Sequence, residues 1–354
     1  MEAGMSATME LPPFFDPTRA ADWSYRPDID ALRATAERWR GEIGPAGDGR
    51  TDLLLIDLQR DFCLPEGALY VGGRSGRGAV EDAARVAAFI HRNLGAIDRI
   101  VPTFDTHTPL QIFHRSFWIG ADGHPPAPFT VITEEMLADG AFRPSPGVLG
   151  LLPADVAAEG LAWVERQLLH YARSLARQGR NALIIWPDHC LIGSEGHAMP
   201  GLVQEARLFH ALLRGAPTPV IIKGDDPWSE SYSAFGPEVP DRWDGGRLVK
   251  PQDDAALLEL LRADRIVVAG QASSHCVRWS VDDLLGRMRS LAPALPRRVY
   301  ILRDCMSAVV GLDVEGRPVP ALDFTTQAEE AFGRWAELGV HIVESAQPMA
   351  EWPR

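Results

Sequence analysis

Short apolar runs alternate with helix-period stretches along most of the chain, and few folds accommodate that pattern. TDLLLID (51–57) is the first run, and Val80, Ala83, Ala87, Ile90 and Leu94 follow at helical spacing. RIVPTFD (99–105), NALIIW (181–186), TPVIIK (218–223), DRIVVAG (264–270), RVYILRD (298–304) and VHIV (340–343) come next. Helical patterns at 154–178, 201–213, 254–262, 275–288 and 325–337 separate most of them. Such runs are apolar on both sides, so they predict strands covered on both faces. The expected fold is three-layer α/β/α, around a mostly parallel sheet of six strands or slightly more, with right-handed crossovers.

The first 50 residues read as an extension: a Pro-rich start, a helix from about Asp28 to Trp39, and a Gly-rich link, GEIGPAGDGR. Hydrophobic residues make up 46% of the 354, enough for a sizeable core. The net charge of −13 argues against a nucleic-acid footprint and against a polybasic membrane contact. No apolar run approaches the ~20 residues of a membrane helix. MEAGMSATMELPPFF has neither a basic nor an apolar signal region, so the cytoplasm is the expected compartment. The four cysteines, Cys63, Cys190, Cys276 and Cys305, are too scattered for a disulfide scaffold.

Sites in open α/β sheets lie beyond the carboxyl ends of the strands. Asp57 stands at the first such end, Asp105 and His107 at the second, and Trp186 and His189 after NALII. Lys223 follows PVII, and Cys276 follows IVVAG at the start of a helix. A thiolate is the nucleophilic form of cysteine, and a helix N-terminus with a nearby ammonium lowers the thiol pKa. Asp57 is placed to take the thiol proton and return it to a leaving amine, with backbone N–H groups of the turn holding the oxyanion. One cysteine after a strand is more often a core hydrophobe. Cys63, Cys190 and Cys305 keep that reading, and only Cys276 arrives with an acid, an amine and a helix start. Asp105 and His107 point the same way on an extended segment, and with His189 they make a three-ligand metal site with open positions. His114 is a further ligand or a neighbour of one. A hydrogen-bonded loop histidine is an equal reading of DTH alone. Phe62 and Trp186 flank the site and suit a flat substrate, although aromatics are more often core. Tyr232, His275 and Trp279 share that ambiguity, and SESYSAF (229–235) reads either as a pocket-closing loop or as an ordinary polar turn.

IDLQRDFC, FDTH, WPDHC, IIKG followed by SYSAF, and VVAGQASSHCV, in this order, resemble the isochorismatase-like cysteine hydrolases, within them the nicotinamidase/pyrazinamidase group. The resemblance spans roughly 50–118 and 183–345. It implies a Cys276–Asp57–Lys223 triad and metal ligation by Asp105, His107 and His189, with His114 matching a further histidine of some members. It places Phe62 and Trp186 around a ring pocket, and Tyr232 and His275 are the further substrate-binding candidates. It also implies a cis peptide at Gln271–Ala272 that aims the Ala272 and Cys276 N–H groups at the oxyanion. The hydrolase domain is then 51–345, with an insertion at about 119–182 and a tail at 346–354. Positions 115–185, 71 residues, separate His114 from Trp186. A Pro-rich loop there, HPPAPF (124–129), either covers the site or builds an oligomer interface, and a homo-oligomer is expected. Ser274 stands where an Asp often precedes the aromatic–Cys pair.

The resulting expectation is an amidohydrolase of a small aromatic or heteroaromatic carboxamide, working through a thioester. It would use one divalent metal, zinc first, iron(II) or manganese otherwise. Another amide, ureide or carbamoyl substrate is the alternative. A non-haem iron oxidoreductase and a non-catalytic binding module remain as different classes.

Overall fold

The computed structural model describes residues 10–41, 43, 49–249, 254–312 and 315–353. The first nine residues and most of the Gly-rich link therefore lie outside the described residues. Six strands form the central sheet: β1 (Thr51–Ile56), β2 (Arg99–Asp105), β3 (Ile221–Lys223), β4 (Arg265–Gly270), β5 (Val299–Leu302) and β6 (His341–Val343). Their order is β6-β5-β4-β1-β2-β3, and every neighbouring pair is parallel. The longer helices are α1 (Ile29–Trp39), α2 (Gly78–Arg92), α3 (Leu161–Gln178), α4 (Gly201–Arg214), α5 (Asp254–Leu260), α6 (Cys276–Leu291) and α7 (Thr325–Glu337).

Side chains alternate across a strand, and here each alternation feeds a separate core. Leu53, Leu55, Val267, Ala269 and Tyr300 pack with residues of α1, α2 and α4. Leu54, Ile56, Ile266, Val268 and Ile301 pack with residues of α3, α5, α6 and α7. This is why the strands read as continuous apolar runs. The chain builds β1, β2 and β3 outward in one direction, then returns to lay β4 on the other side of β1. The order reverses between β1 and β4, so the carboxyl ends of these two strands open a crevice.

One strand expectation is corrected. NALIIW does not join the central sheet. Only Leu183–Ile184 is extended, paired antiparallel with Val131–Ile132 in a separate ribbon. The run is apolar because the inserted segment buries it: Leu183, Ile184, Ile185 and Trp186 share a core with Trp163 and Leu168 of α3. The helical pattern at 154–178 becomes regular only at Leu161, after Pro153 and a Gly160 at φ 61°.

The N-terminal extension packs on the body. Asp28 caps α1 by accepting from Asp30 and Ala31 N–H, and Leu32 and Ala36 are buried. Tyr25 donates to the buried Glu205 carboxylate, and Trp23 and Arg26 donate to Glu195. The C-terminal segment is also held, with Trp352 stacked on Phe89 and Tyr300. Among the described residues no helix is long and apolar enough to cross a membrane.

Candidate active site and metal centre

The crevice between β1 and β4 collects the residues that the strand ends carry. Asp57 follows β1 directly, in a left-handed conformation at φ 45°. Its N–H donates to Thr103 Oγ1 at 3.0 Å, and the same hydroxyl donates back to its carboxylate. Gly270 ends β4 at φ 135°, where a Cβ would collide with Ile56 O, so only glycine lets the two strands approach this closely. A cis Gln271–Ala272 peptide follows, and Cys276 opens α6. Asp105 and Lys223 are register partners at the ends of β2 and β3.

Lys223 Nζ is the hub. It lies 2.9 Å from Asp57 Oδ2, 2.8 Å from Asp105 Oδ1, 3.6 Å from Cys276 Sγ, and it donates to Ser231 O at 2.9 Å. All four side chains are buried. Burial pulls the Lys223 pKa down, but Asp105 and Asp57 outweigh it, so the ammonium is held charged. Asp57 moves up, by burial and by Asp105, against the pull of Lys223.

The thiol departs from expectation. The helix start and Lys223 suggest a lowered pKa, but the Cys276 thiol is pushed well up. Burial dominates and overrides the pull of Lys223, and the Asp57 and Asp105 carboxylates add to the rise. With the thiol pKa raised, the resting proton sits on sulfur, beside the Lys223–Asp57 pair. Neither Ala272 N–H nor Cys276 N–H has an acceptor among the described residues, whereas His275 and Val277 N–H both donate to Ala272 O. Two backbone donors beside the thiol are thus free for a ligand oxygen.

Asp105 joins this cluster to a second one. Its Oδ1 faces Lys223, while Oδ2 lies 3.2 Å from His107 Nε2 and 3.9 Å from His189 Nε2. One ligand atom from each of Asp105, His107 and His189 falls within 4.8 Å of the others. His107 Nδ1 pairs with Gly224 O at 2.8 Å, His189 Nδ1 with Pro187 O at 2.8 Å, and His114 Nδ1 with Thr108 O at 3.0 Å. Carbonyls only accept, so every Nδ1 carries a proton and every Nε2 is the ring nitrogen left to face a metal, although Asp105 raises the His107 pKa against burial, so His107 gives up an Nε2 proton when it ligates. The buried Nε2 of His107 and of His114 has no hydrogen-bond partner. Burial lowers the pKa values of His114, to about 4, and His189, which keeps both neutral as ligation requires. His114 stands one step out: its ring centroid is 5.6 Å from His107 and 5.7 Å from His189, and it is not part of the 4.8 Å cluster. Gly224 makes the arrangement possible, since a Cβ at its φ of 77° would run into Asp105 and His107. The donor set fits a divalent metal. The other close set, Asp57, Asp105 and Cys276, surrounds the Lys223 ammonium, which already supplies the cation there.

A cavity opens over Cys276. Phe62, Trp186, Tyr232, His275 and Ala272, all anticipated from the sequence, line it with Asp105 and His189. Trp186 Nε1 donates to Tyr232 OH at 3.2 Å, which fixes the indole. Phe129 of the Pro-rich loop meets the Trp186 ring edge-on at 5.9 Å. Trp279 is elsewhere, stacked between Arg180 and Arg278. Cys63, Cys190 and Cys305 are buried, with thiols pushed well up by burial.

Three contributors escaped the sequence reading. Glu230 lines the cavity, and burial together with Asp105 raises its carboxyl to about 7. It lies in SESYSAF, whose composition matches an ordinary turn. Yet Ser229, Glu230, Ser231 and Ser233 are all buried. Thr103 sits inside β2, where a threonine reads as a strand former. Gln59 brackets Asp105, accepting its N–H and donating to its carbonyl, both at 2.7 Å. Its place in IDLQRDF was the available signal.

No family model matches the chain. Among solved structures it is similar to a nicotinamidase/pyrazinamidase of Acinetobacter baumanii, with 18% identity, a TM-score of 0.47, and coverage of 84% of this chain and 97% of that one. It is also similar to the yeast nicotinamidase bound to the inhibitor nicotinaldehyde, with 17% identity, a TM-score of 0.49, and coverage of 83% and 99%. In sequence it is 30% identical over 233 residues to the nicotinamidase of Escherichia coli (strain K12). That match spans 66% of this chain and 75% of the relative, and the chain belongs to the nicotinamidase family.

Proposed function

We propose that this protein hydrolyses nicotinamide to nicotinate and ammonia, with Cys276 as nucleophile. One observation carries the reading: Cys276, backed by Lys223 and Asp57, lines an aromatic-walled cavity that Asp105 and His189 of a two-imidazole, one-carboxylate cluster also line. The pyridine ring lies against Phe62 and Trp186, and the carboxamide points to Cys276. Asp57 takes the thiol proton as sulfur attacks, and the carbonyl electron pair moves onto oxygen, where the Ala272 and Cys276 N–H groups hold it. The C–N bond breaks as Asp57 returns the proton to the leaving nitrogen, releasing ammonia. Asp57 then deprotonates a water that attacks the thioester, and nicotinate leaves with the thiol restored. Lys223 remains charged throughout and keeps Asp57 oriented.

Asp105, His107, His189 and the neighbouring His114 would hold one divalent ion. Its nitrogen-rich ligands favour zinc over magnesium or calcium. Once bound, the ion supplies Lewis acidity for a substrate ring nitrogen or a water. His189→Ala is expected to drop the metal content of purified protein well below one ion per chain, as read by elemental analysis. Retention of a full equivalent would remove His189 from the ligand set.

The test of the substrate is ammonia release from nicotinamide, pyrazinamide and a panel of amides and ureides. Turnover restricted to ureides would replace the carboxamide reading with the second substrate class. Ring stacking is worth roughly 0.5–1.5 kcal/mol. Trp186→Ala should therefore raise KM for nicotinamide up to about tenfold, and an unchanged KM would place the ring elsewhere.

A further inference from the structure

Asp82 lies on α2, outside the cavity lining, yet its carboxylate is buried and engaged on both oxygens. Oδ2 accepts from Gln271 Nε2 at 2.8 Å and from Ser307 Oγ at 2.7 Å, and Oδ1 accepts from Arg85 at 2.8 Å. Gln271 Oε1 accepts from Ser307 N–H at 3.2 Å, and Gln271 N–H donates to Ile56 O at 2.9 Å. Ser307 O accepts from Ser273 N–H at 2.8 Å. One carboxylate therefore fixes both residues that clamp the turn at 271–273, Gln271 from within and Ser307 from across. Ala272 lies between the two anchors. Burial raises the Asp82 pKa against Ser307, Gln271 and Arg85, so the charge is held in an unfavourable place. Two of the bonds this carboxylate makes are the ones that hold the turn.

We infer that Asp82 is a positioning residue: through Gln271 and Ser307 it holds the Ala272 N–H where negative charge develops on the substrate oxygen. The inference rests on the proposed role of Cys276 and its turn.

Displacing a catalytic group by about 1 Å costs on the order of 100-fold in rate. Asp82→Ala should lower kcat for nicotinamide by about 10- to 100-fold while KM stays within about twofold, because the bond to the oxyanion strengthens only in the transition state. Nicotinaldehyde reads the same position. The Cys276 sulfur bonds to the aldehyde carbon, the carbonyl π pair moves onto oxygen, and the thiol proton goes to Asp57. Its inhibition constant should rise by the same factor as kcat falls. Asp82→Asn, whose Oδ1 can still accept from Gln271 and Ser307, should restore most of the rate. Arg85→Ala keeps both of those bonds and should change the melting temperature but not kcat. If Asp82→Ala does not fold, Ser307→Ala removes one of the two bonds that tie Asp82 to the turn, leaves the backbone bonds of Ser307 in place, and should show a smaller kcat loss at constant KM. Wild-type kcat and wild-type aldehyde inhibition in the folded variants would overturn the inference. So would an equal kcat loss in Arg85→Ala, since Asp82 would then matter only for packing. A wild type that is captured by nicotinaldehyde but does not hydrolyse nicotinamide would sink the substrate reading alone, and the inhibition constants would then decide the role of Asp82.

Discussion

Cys276→Ala is expected to abolish nicotinamide hydrolysis, lowering kcat by at least about 10⁴-fold, as loss of a nucleophile does elsewhere. Cys276→Ser should be nearly as inactive. A hydroxyl is far less acidic than a thiol, and a carboxylate such as Asp57 is a weak base for removing its proton. The fold should survive both changes within about 1 kcal/mol, since the side chain is small and makes one weak hydrogen bond. Unchanged circular dichroism with no ammonia release is the expected result, and normal turnover by the alanine variant would end the thioester mechanism. Alkylation gives an independent reading. The Cys276 thiol is held well above its usual pKa by burial and by Asp57 and Asp105, so iodoacetamide should react slowly at pH 7 and faster as pH rises. Cys276 lines the cavity while Cys63, Cys190 and Cys305 are fully buried, so it should label first, and the Cys276→Ala variant should lose that first label.

The strands were legible because each is buried on both faces, and a continuous apolar run bounded by polar residues records that. The same physics misplaced NALIIW. Burial under α3 makes Leu183 to Trp186 as apolar as a central strand, and no local signal separates a strand of the sheet from a ribbon beneath an insertion. The site residues were legible for a related reason. Asp57, Asp105 and Lys223 are where the apolar runs β1, β2 and β3 stop, and Cys276 follows the end of β4. The reversal of strand order between β1 and β4 turns their separate sequence positions into one crevice. What a single stretch does not carry is the sum of fields from several strands. The local setting of Cys276 suggests a lowered thiol pKa, whereas carboxylates from β1 and β2 and full burial push it up. Glu230 was hidden for the opposite reason. A polar loop is usually solvated, and only the packing of 229–233 beneath the insertion, with Glu230 N–H donating to Tyr171 OH at 3.0 Å, turns it inward.

Lys223→Met is expected to cost more stability than any other substitution at the site. The side chain is 1% exposed and lies between two buried carboxylates. Removing one partner of a buried ion pair typically costs about 3–5 kcal/mol, because the remaining charge is left uncompensated. Here two remain, and the pair relieves itself by taking up a proton. Asp57 is the group to take it, since burial and Asp105 already raise its pKa with Lys223 present. A carboxyl whose folded pKa lies above its unfolded value contributes stability that is fully present below the unfolded pKa and is lost as pH rises through the folded one. The variant should therefore be closest to wild type in mild acid and fall further behind as pH rises. Urea unfolding of both proteins at pH 5 and pH 8 measures this, and a stability gap that is constant or narrows with rising pH would show that Lys223 does not compensate the two carboxylates. Protonated Asp57 cannot accept the Cys276 proton, so the variant should also lose activity where it is most stable. Bound metal would change the outcome in a defined direction. A dication beside Asp105 takes over part of the lost compensation, so metal-loaded Lys223→Met should show a smaller stability gap than the chelated protein at pH 8.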